Sequence, residues 1–244
     1  MSLPVVDVPI YELKLPSNGK EIRVRPFLVK EEKLLLMAAE SDDVEEIIKT
    51  TKQVINNCLI DKNVDVDKLP FFDIDYLFIA LRAKSIAETI DMRFTCNAVN
   101  DEGDPCRYVF DTEIDISKAK IIKSEVPNTF TFDNDSKNTT VKLKYPAYSI
   151  MKTLNENDNA FENKVKVIAA CIDQIVQKDK VYSSRDYTPK ELQVFVEGLT
   201  QENYKKLELF VDNFPYFAVD VEKKCPKCGY LHDIRYTDFA SFFY

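Results

Sequence analysis

The run Cys225-Pro226-Lys227-Cys228-Gly229 constrains this 244-residue chain more than any other feature. Two cysteines two residues apart, with a glycine directly after, describe a tight turn in which two thiolates converge. The glycine lets the backbone fold back where a Cβ would crowd the metal. A structural zinc ion takes four ligands, so one such turn calls for two more. Cys96 and Cys106 supply them, because they bracket a turn between two expected strands in the same way. The expected site is C-x9-C followed by C-x2-C, with 118 residues between the pairs. The first spacing is wider than is usual for such a pair.

Other readings of the same residues stand beside this one. His232 could replace Cys96 or Cys106 in a C-x2-C-x3-H arrangement. Cys225 and Cys228 could form a redox pair, although no βαβ pattern surrounds them. The four thiols could also pack together without metal. Four thiolates leave no open coordination position, so the expected zinc is structural rather than catalytic. Cys58 and Cys171 fall on apolar helix faces and read as small core residues.

The rest of the composition points away from catalysis. One histidine leaves little room for His-based chemistry, four glycines argue against a glycine-rich phosphate loop, and no G-x-S-x-G motif occurs. No enzyme is expected. With 33 basic and 41 acidic residues the net charge is 33 − 41 = −8, which disfavours nucleic acid, whose affinity rests on phosphate neutralisation. No apolar run approaches the ~18 residues of a membrane helix, and residues 1–17 do not read as a secretory signal. A reducing, cytoplasmic setting is the expectation, with cysteines as thiols or metal ligands.

Periodicity predicts an α+β fold. Residues 10–15 and 22–27 flank the Pro16–Gly19 turn as a hairpin. Helices follow from Lys30, from a cap at Ser41-Asp42-Asp43 through Ile60, and from Asp73. Strands are expected at 90–96, 107–116, 129–132, 141–145, 217–222 and 231–236. A second helical group is expected at 148–154, 161–176, from Pro189, and at 202–211. The picture is two helical groups with short antiparallel strands and a four-cysteine zinc-ribbon-like element joining two hairpins. Two parts are expected, 1–120 and 121–244, packed as one unit. V-I-x-x-C recurs at Val54–Cys58 and Val167–Cys171, which raises an old duplication.

Aromatic residues in loops and at the end of the chain are the candidate partner contacts: Phe27 beside a basic edge of Arg23, Arg25, Lys30 and Lys33, then Phe71 and Phe72, then Phe239, Phe242, Phe243 and Tyr244, although the terminal run could instead fold back over the zinc ribbon and complete its small core.

The block running from Arg25-Pro26-Phe27 through Lys30-Glu31-Glu32-Lys33 to Met37-Ala38 resembles the T4-type bacteriophage baseplate hub and hub-assembly family. The likeness continues at Phe72–Phe78, at Leu81-Arg82-Ala83-Lys84-Ser85, and at Cys-Pro-Lys-Cys-Gly with Ser241-Phe242-Phe243. The resemblance implies a non-enzymatic tail protein that forms the central hub or promotes its assembly by binding other baseplate hub or tail proteins. It would work in the host cytoplasm during assembly or remain in the virion tail baseplate. The alternative from another class is a zinc-stabilised enzyme or thiol-redox factor acting during assembly.

Overall fold

The computed structural model describes residues 6–41, 43–100, 102–132, 137–154, 158–178 and 180–237. β1 (Tyr11–Lys14) and β2 (Glu21–Val24) form a hairpin, followed by α1 (Val29–Glu40), α2 (Val44–Cys58) and α3 (Phe71–Ser85). β3 (Thr89–Thr95), β4 (Val109–Asp115) and β5 (Lys120–Ile122) come next, then β6 (Thr129–Thr131) and β7 (Thr139–Leu143). After a 3-10 stretch at Tyr148–Thr153, α4 (Ala160–Cys171) runs into β8 (Ile172–Gln177) and β9 (Lys180–Ser183). α5 (Pro189–Glu197), α6 (Gln201–Asp212), β10 (Tyr216–Lys224) and β11 (Leu231–Tyr236) complete the described chain. The fold is mixed α+β, and its strand pairings are antiparallel.

Two compact units result. One takes residues 1–66, 72–122 and 216–244, and the other takes 67–71 and 123–215.

In the first unit, Gly19 closes the β1–β2 turn at φ +72, a conformation open to glycine. Leu15, Ile22 and Val24 from this hairpin are buried, as are Val54, Ile55 and Cys58 of α2 and Ile74, Leu77 and Leu81 of α3. The quoted sequence blocks are tied to one another here. Arg25 Nη2 lies 3.0 Å from Glu31 Oε1, with the Glu31 side chain fully buried. Glu31 Oε2 also accepts from the Leu28 N–H at 2.9 Å, which caps α1. The Phe27 N–H donates to Ser85 Oγ at 2.7 Å. Arg25 therefore does not belong to a solvated basic edge; burial of Glu31 draws it in as the counter-charge.

Asp73 does not cap α3 as expected. The helix starts two residues earlier, and the buried Asp73 carboxylate accepts from the Ser17 N–H at 2.9 Å and from the Ser17 hydroxyl. Capping and cross-element bonding use the same acceptor, and the tertiary contact wins.

In the second unit, a sheet of order β6-β7-β8-β9 contributes Phe130, Val141, Leu143 and Ile172 to a core shared with Ile168, Val196, Leu207 and Phe210. The helix expected over 161–176 stops at Cys171. Ile172, Ile175 and Val176 instead pair with β7, and residues 174–177 with β9. A short apolar run suits a helix or a buried strand equally, and neighbouring strands decide. The helix expected at 148–154 is a 3-10 stretch.

The two V-I-x-x-C runs end their helices alike. α2 stops at Cys58 and α4 at Cys171, both fully buried, and the next residue is extended in each (φ −67, ψ 125 at Leu59; φ −61, ψ 123 at Ile172). Each chain then meets the second strand of the preceding hairpin. The Arg25 N–H donates to the Cys58 carbonyl at 2.9 Å, and the Lys144 N–H to the Cys171 carbonyl at 2.7 Å. A small apolar residue suits a buried corner where a helix turns into a strand.

Candidate metal centre

Cys96 follows β3 and Cys106 precedes β4; Cys225 follows β10 and Cys228 precedes β11. The two hairpins present their cysteines by one backbone pattern. At the C-terminal turn the Cys225 N–H donates to Tyr230 O, and the Gly229 N–H returns to Cys225 O. At the other, the Cys96 N–H donates to Tyr108 O, and the Arg107 N–H returns to Cys96 O. Arg107 thus occupies the place of Gly229, and both have positive φ, +51 and +76. Cys106-Arg107-Tyr108 is the structural counterpart of Cys228-Gly229-Tyr230.

This equivalence accounts for the wide first spacing. The extra residues, Val99 to Pro105, form a small hairpin of their own, with Val99 bridged to Pro105. Asn100 closes its tip: its side-chain oxygen accepts from the N–H groups of Glu102 and Asp104, and Gly103 turns at φ +89. The ligand geometry is that of a short knuckle carrying an insertion.

The four sulfurs interleave. Cys96 Sγ lies 3.6 Å from Cys228 Sγ, and Cys106 Sγ lies 4.0 Å from Cys225 Sγ. All four fall within 4.8 Å of one another. Sulfurs at ~2.3 Å from a tetrahedral zinc stand ~3.8 Å apart, so these residues fit the ion with little adjustment. Among the described residues this is the one group of three or more cysteine, histidine or acidic side chains close enough to share an ion. Cys96 and Cys225 are buried, Cys106 is half-buried, and Cys228 is exposed. A groove of about 550 Å³ between the two loop tips reaches Cys106 and Cys228 from outside.

The thiols are electrostatically unequal. Burial pushes Cys96 up to about 12, and the neighbouring sulfurs push the same way against the Ala98 N–H. Burial also opposes ionisation of Cys225, but the N–H groups of Cys228 and Lys227 outweigh it and hold that thiol down to about 7.

His232, buried on β11, brings Nε2 to 3.2 Å from Cys96 Sγ. It stands outside the converging four-sulfur group. Its ring lies 4.9 Å edge-on from Tyr230 and 6.4 Å from Phe110. Phe94 stacks on Phe110 at 5.8 Å and meets Tyr236 at 6.4 Å. Aromatic rings from both hairpins thus form the small core beneath the sulfurs.

The expected aromatic contacts fare differently. Phe27 and Phe72 are buried, at 8% and 3% exposure, which removes them from any free surface. Each sits where a helix packs against its unit, and an apolar ring there gains more from burial than from solvent. Phe71 is half-buried against Tyr148 at 5.0 Å. Phe239, Phe242, Phe243 and Tyr244 lie outside the described residues. Sequence reading missed the buried Arg25–Glu31 pair and, although it matched the two cysteine turns, the residue-by-residue register that makes the first a short knuckle with an insertion. The tyrosine two residues after Cys106 and after Cys228 was the available signal for the second.

A protein-family model described as T4 bacteriophage base plate protein matches residues 8–244. No curated protein and no solved structure matches.

Proposed function

The chain belongs to the T4 bacteriophage base plate protein family, and from that premise we propose that it forms the central hub of the baseplate, or promotes its assembly, by binding other tail proteins. The match across residues 8–244 is the observation that carries the role. A baseplate structural protein works by contact, in keeping with a sequence poor in catalytic groups. No helix among the described residues is long and apolar enough to cross a membrane.

In this reading Cys96, Cys106, Cys225 and Cys228 hold one structural zinc. The ion ties the β3–β4 hairpin to the β10–β11 hairpin across more than a hundred residues of chain. Zinc supplies four bonds there and no chemistry, since four thiolates complete its shell. The convergence of the four sulfurs supports this assignment.

With Phe27 and Phe72 buried, the contact surface moves to exposed side chains of the same region. Val29, Leu36 and Met37 lie on one face of α1 and are 82%, 51% and 57% exposed. Mixing the purified chain with the hub and tail proteins of its phage tests the role. A complex that co-migrates on a sizing column is expected, and Leu36→Glu with Met37→Glu should abolish it while leaving the circular dichroism unchanged. A chain that binds none of those proteins would overturn the proposal. Mass spectrometry of purified virions separates a resident hub part from an assembly factor that leaves.

A further inference from the structure

Comparing the two cysteine turns exposes a missing hydrogen bond and its substitute. At the C-terminal turn, the Lys227 and Cys228 N–H groups favour the Cys225 thiolate. At the other turn, the Ala98 N–H, the counterpart of Lys227, favours the Cys96 thiolate. The counterpart of the Cys228 N–H is that of Cys106, and it donates instead to Ala98 O at 2.8 Å. The Val99–Pro105 insertion separates Cys106 from Ala98 in sequence and turns this N–H into a ladder bond. Cys96, as buried as its twin Cys225, thereby lacks the Cys106 N–H. His232 Nε2 stands 3.2 Å from that sulfur.

We propose that His232 is a positioning residue of the metal centre, donating its Nε2–H to the Cys96 thiolate in place of the backbone donor that the insertion removes. This rests on the four-cysteine zinc reading and sets aside the arrangement in which His232 replaces Cys96 or Cys106 as a ligand. A metal-bound thiolate is an acceptor without a proton, so the ring must carry the hydrogen on Nε2. Four thiolates around Zn²⁺ leave a net charge of −2, and each N–H aimed at sulfur spreads part of it. Loss of such an outer hydrogen bond typically costs roughly 10–100-fold in metal affinity. The packing of His232 between Tyr230 and Phe110 holds its ring in place.

Chelator competition on the full chain tests the proposal. His232→Phe keeps an aromatic ring and removes the donor; its zinc affinity should fall roughly 10–100-fold. His232→Gln, whose amide nitrogen can reach a similar position, should recover most of the loss. The cobalt-loaded wild type should show an all-sulfur tetrahedral spectrum, with its sulfur-to-metal charge-transfer bands shifted in His232→Phe. Cadmium-loaded wild type needs no substitution: a scalar coupling between the metal and the His232 Nε2 proton, passing through sulfur, is expected. A direct cadmium–nitrogen bond, or a Phe variant with wild-type affinity and spectrum, would overturn the proposal. A wild-type chain that takes up neither zinc, cobalt nor cadmium would overturn the four-cysteine reading itself, which is a separate outcome.

Discussion

Glu31 takes a carboxylate out of water at the foot of α1, and Arg25 and the Leu28 N–H make that tenable. Burial opposes its charge, but those hydrogen bonds prevail and hold Glu31 below its ordinary value. Glu31→Ala leaves Arg25 without its counter-charge and should cost about 3–5 kcal/mol in denaturant unfolding. The linked stabilisation is fully present above the ordinary glutamate value of about 4.3, and it is lost as pH falls through the depressed one. Asp73 has the opposite sign. Burial raises it despite two hydrogen bonds from Ser17, so its contribution is present at acid pH and lost as pH rises through the raised value. Asp73→Asn should remove that loss, visible as a flatter stability curve above about pH 4. Arg107 holds φ +51 where its counterpart is Gly229, a conformation costing an L-residue about 1–2 kcal/mol. Arg107→Gly should therefore stabilise the metal-loaded chain by about 1 kcal/mol, offset in part by glycine's unfolded-state entropy. The cysteines were legible as residues because thiolate pairs leave a spacing signature. The Arg25–Glu31 pair was not, because a charged side chain looks the same in sequence whether solvated or buried.

The strand–turn–strand around Cys96 and Cys106 behaves at the element scale as a short knuckle with a hairpin grafted onto it. Deleting Val99–Pro105 turns C-x9-C into C-x2-C while keeping Arg107 and Tyr108 in register with Cys96. The shortened chain should still bind one metal ion, as counted by native mass spectrometry. In it, Cys106 follows Ala98 as Cys228 follows Lys227, so His232→Phe should cost less affinity than in the full chain. Loss of metal from the shortened chain would show that the insertion shapes the site. Helix starts were readable: Asp43 and Thr188 cap α2 and α5 through side-chain bonds to the first-turn N–H groups, and acidic residues follow. Helix ends were harder. α4 gives way to β8 inside one continuous apolar run, and only pairing with β7 and β9 marks the change. The short strands β5 and β9 left no pattern long enough to see.

At the scale of the whole molecule, the first unit draws on residues 1–66, 72–122 and 216–244, so its C-terminal hairpin joins elements laid down far earlier in the chain. Contacts of such sequence separation form late and carry a large loop-closure cost. A metal ion held by Cys96, Cys106, Cys225 and Cys228, as proposed, would offset that cost once the chain has found its fold. Chelation should therefore lower thermal stability. At about 2–4 °C per kcal/mol for a chain of this size, loss of about 4 kcal/mol lowers the midpoint by roughly 10 °C. Chelated protein should also bind tail partners less well wherever the β10–β11 hairpin shapes the contact. A zinc ion on the four cysteines is the proposal most open to direct test. Elemental analysis of the purified full chain, with thiol titration before and after chelation, tests it directly. One zinc per chain is expected, with four thiols that become reactive only when the zinc is removed. A metal-free chain whose four thiols react freely, at unchanged thermal stability, would contradict it.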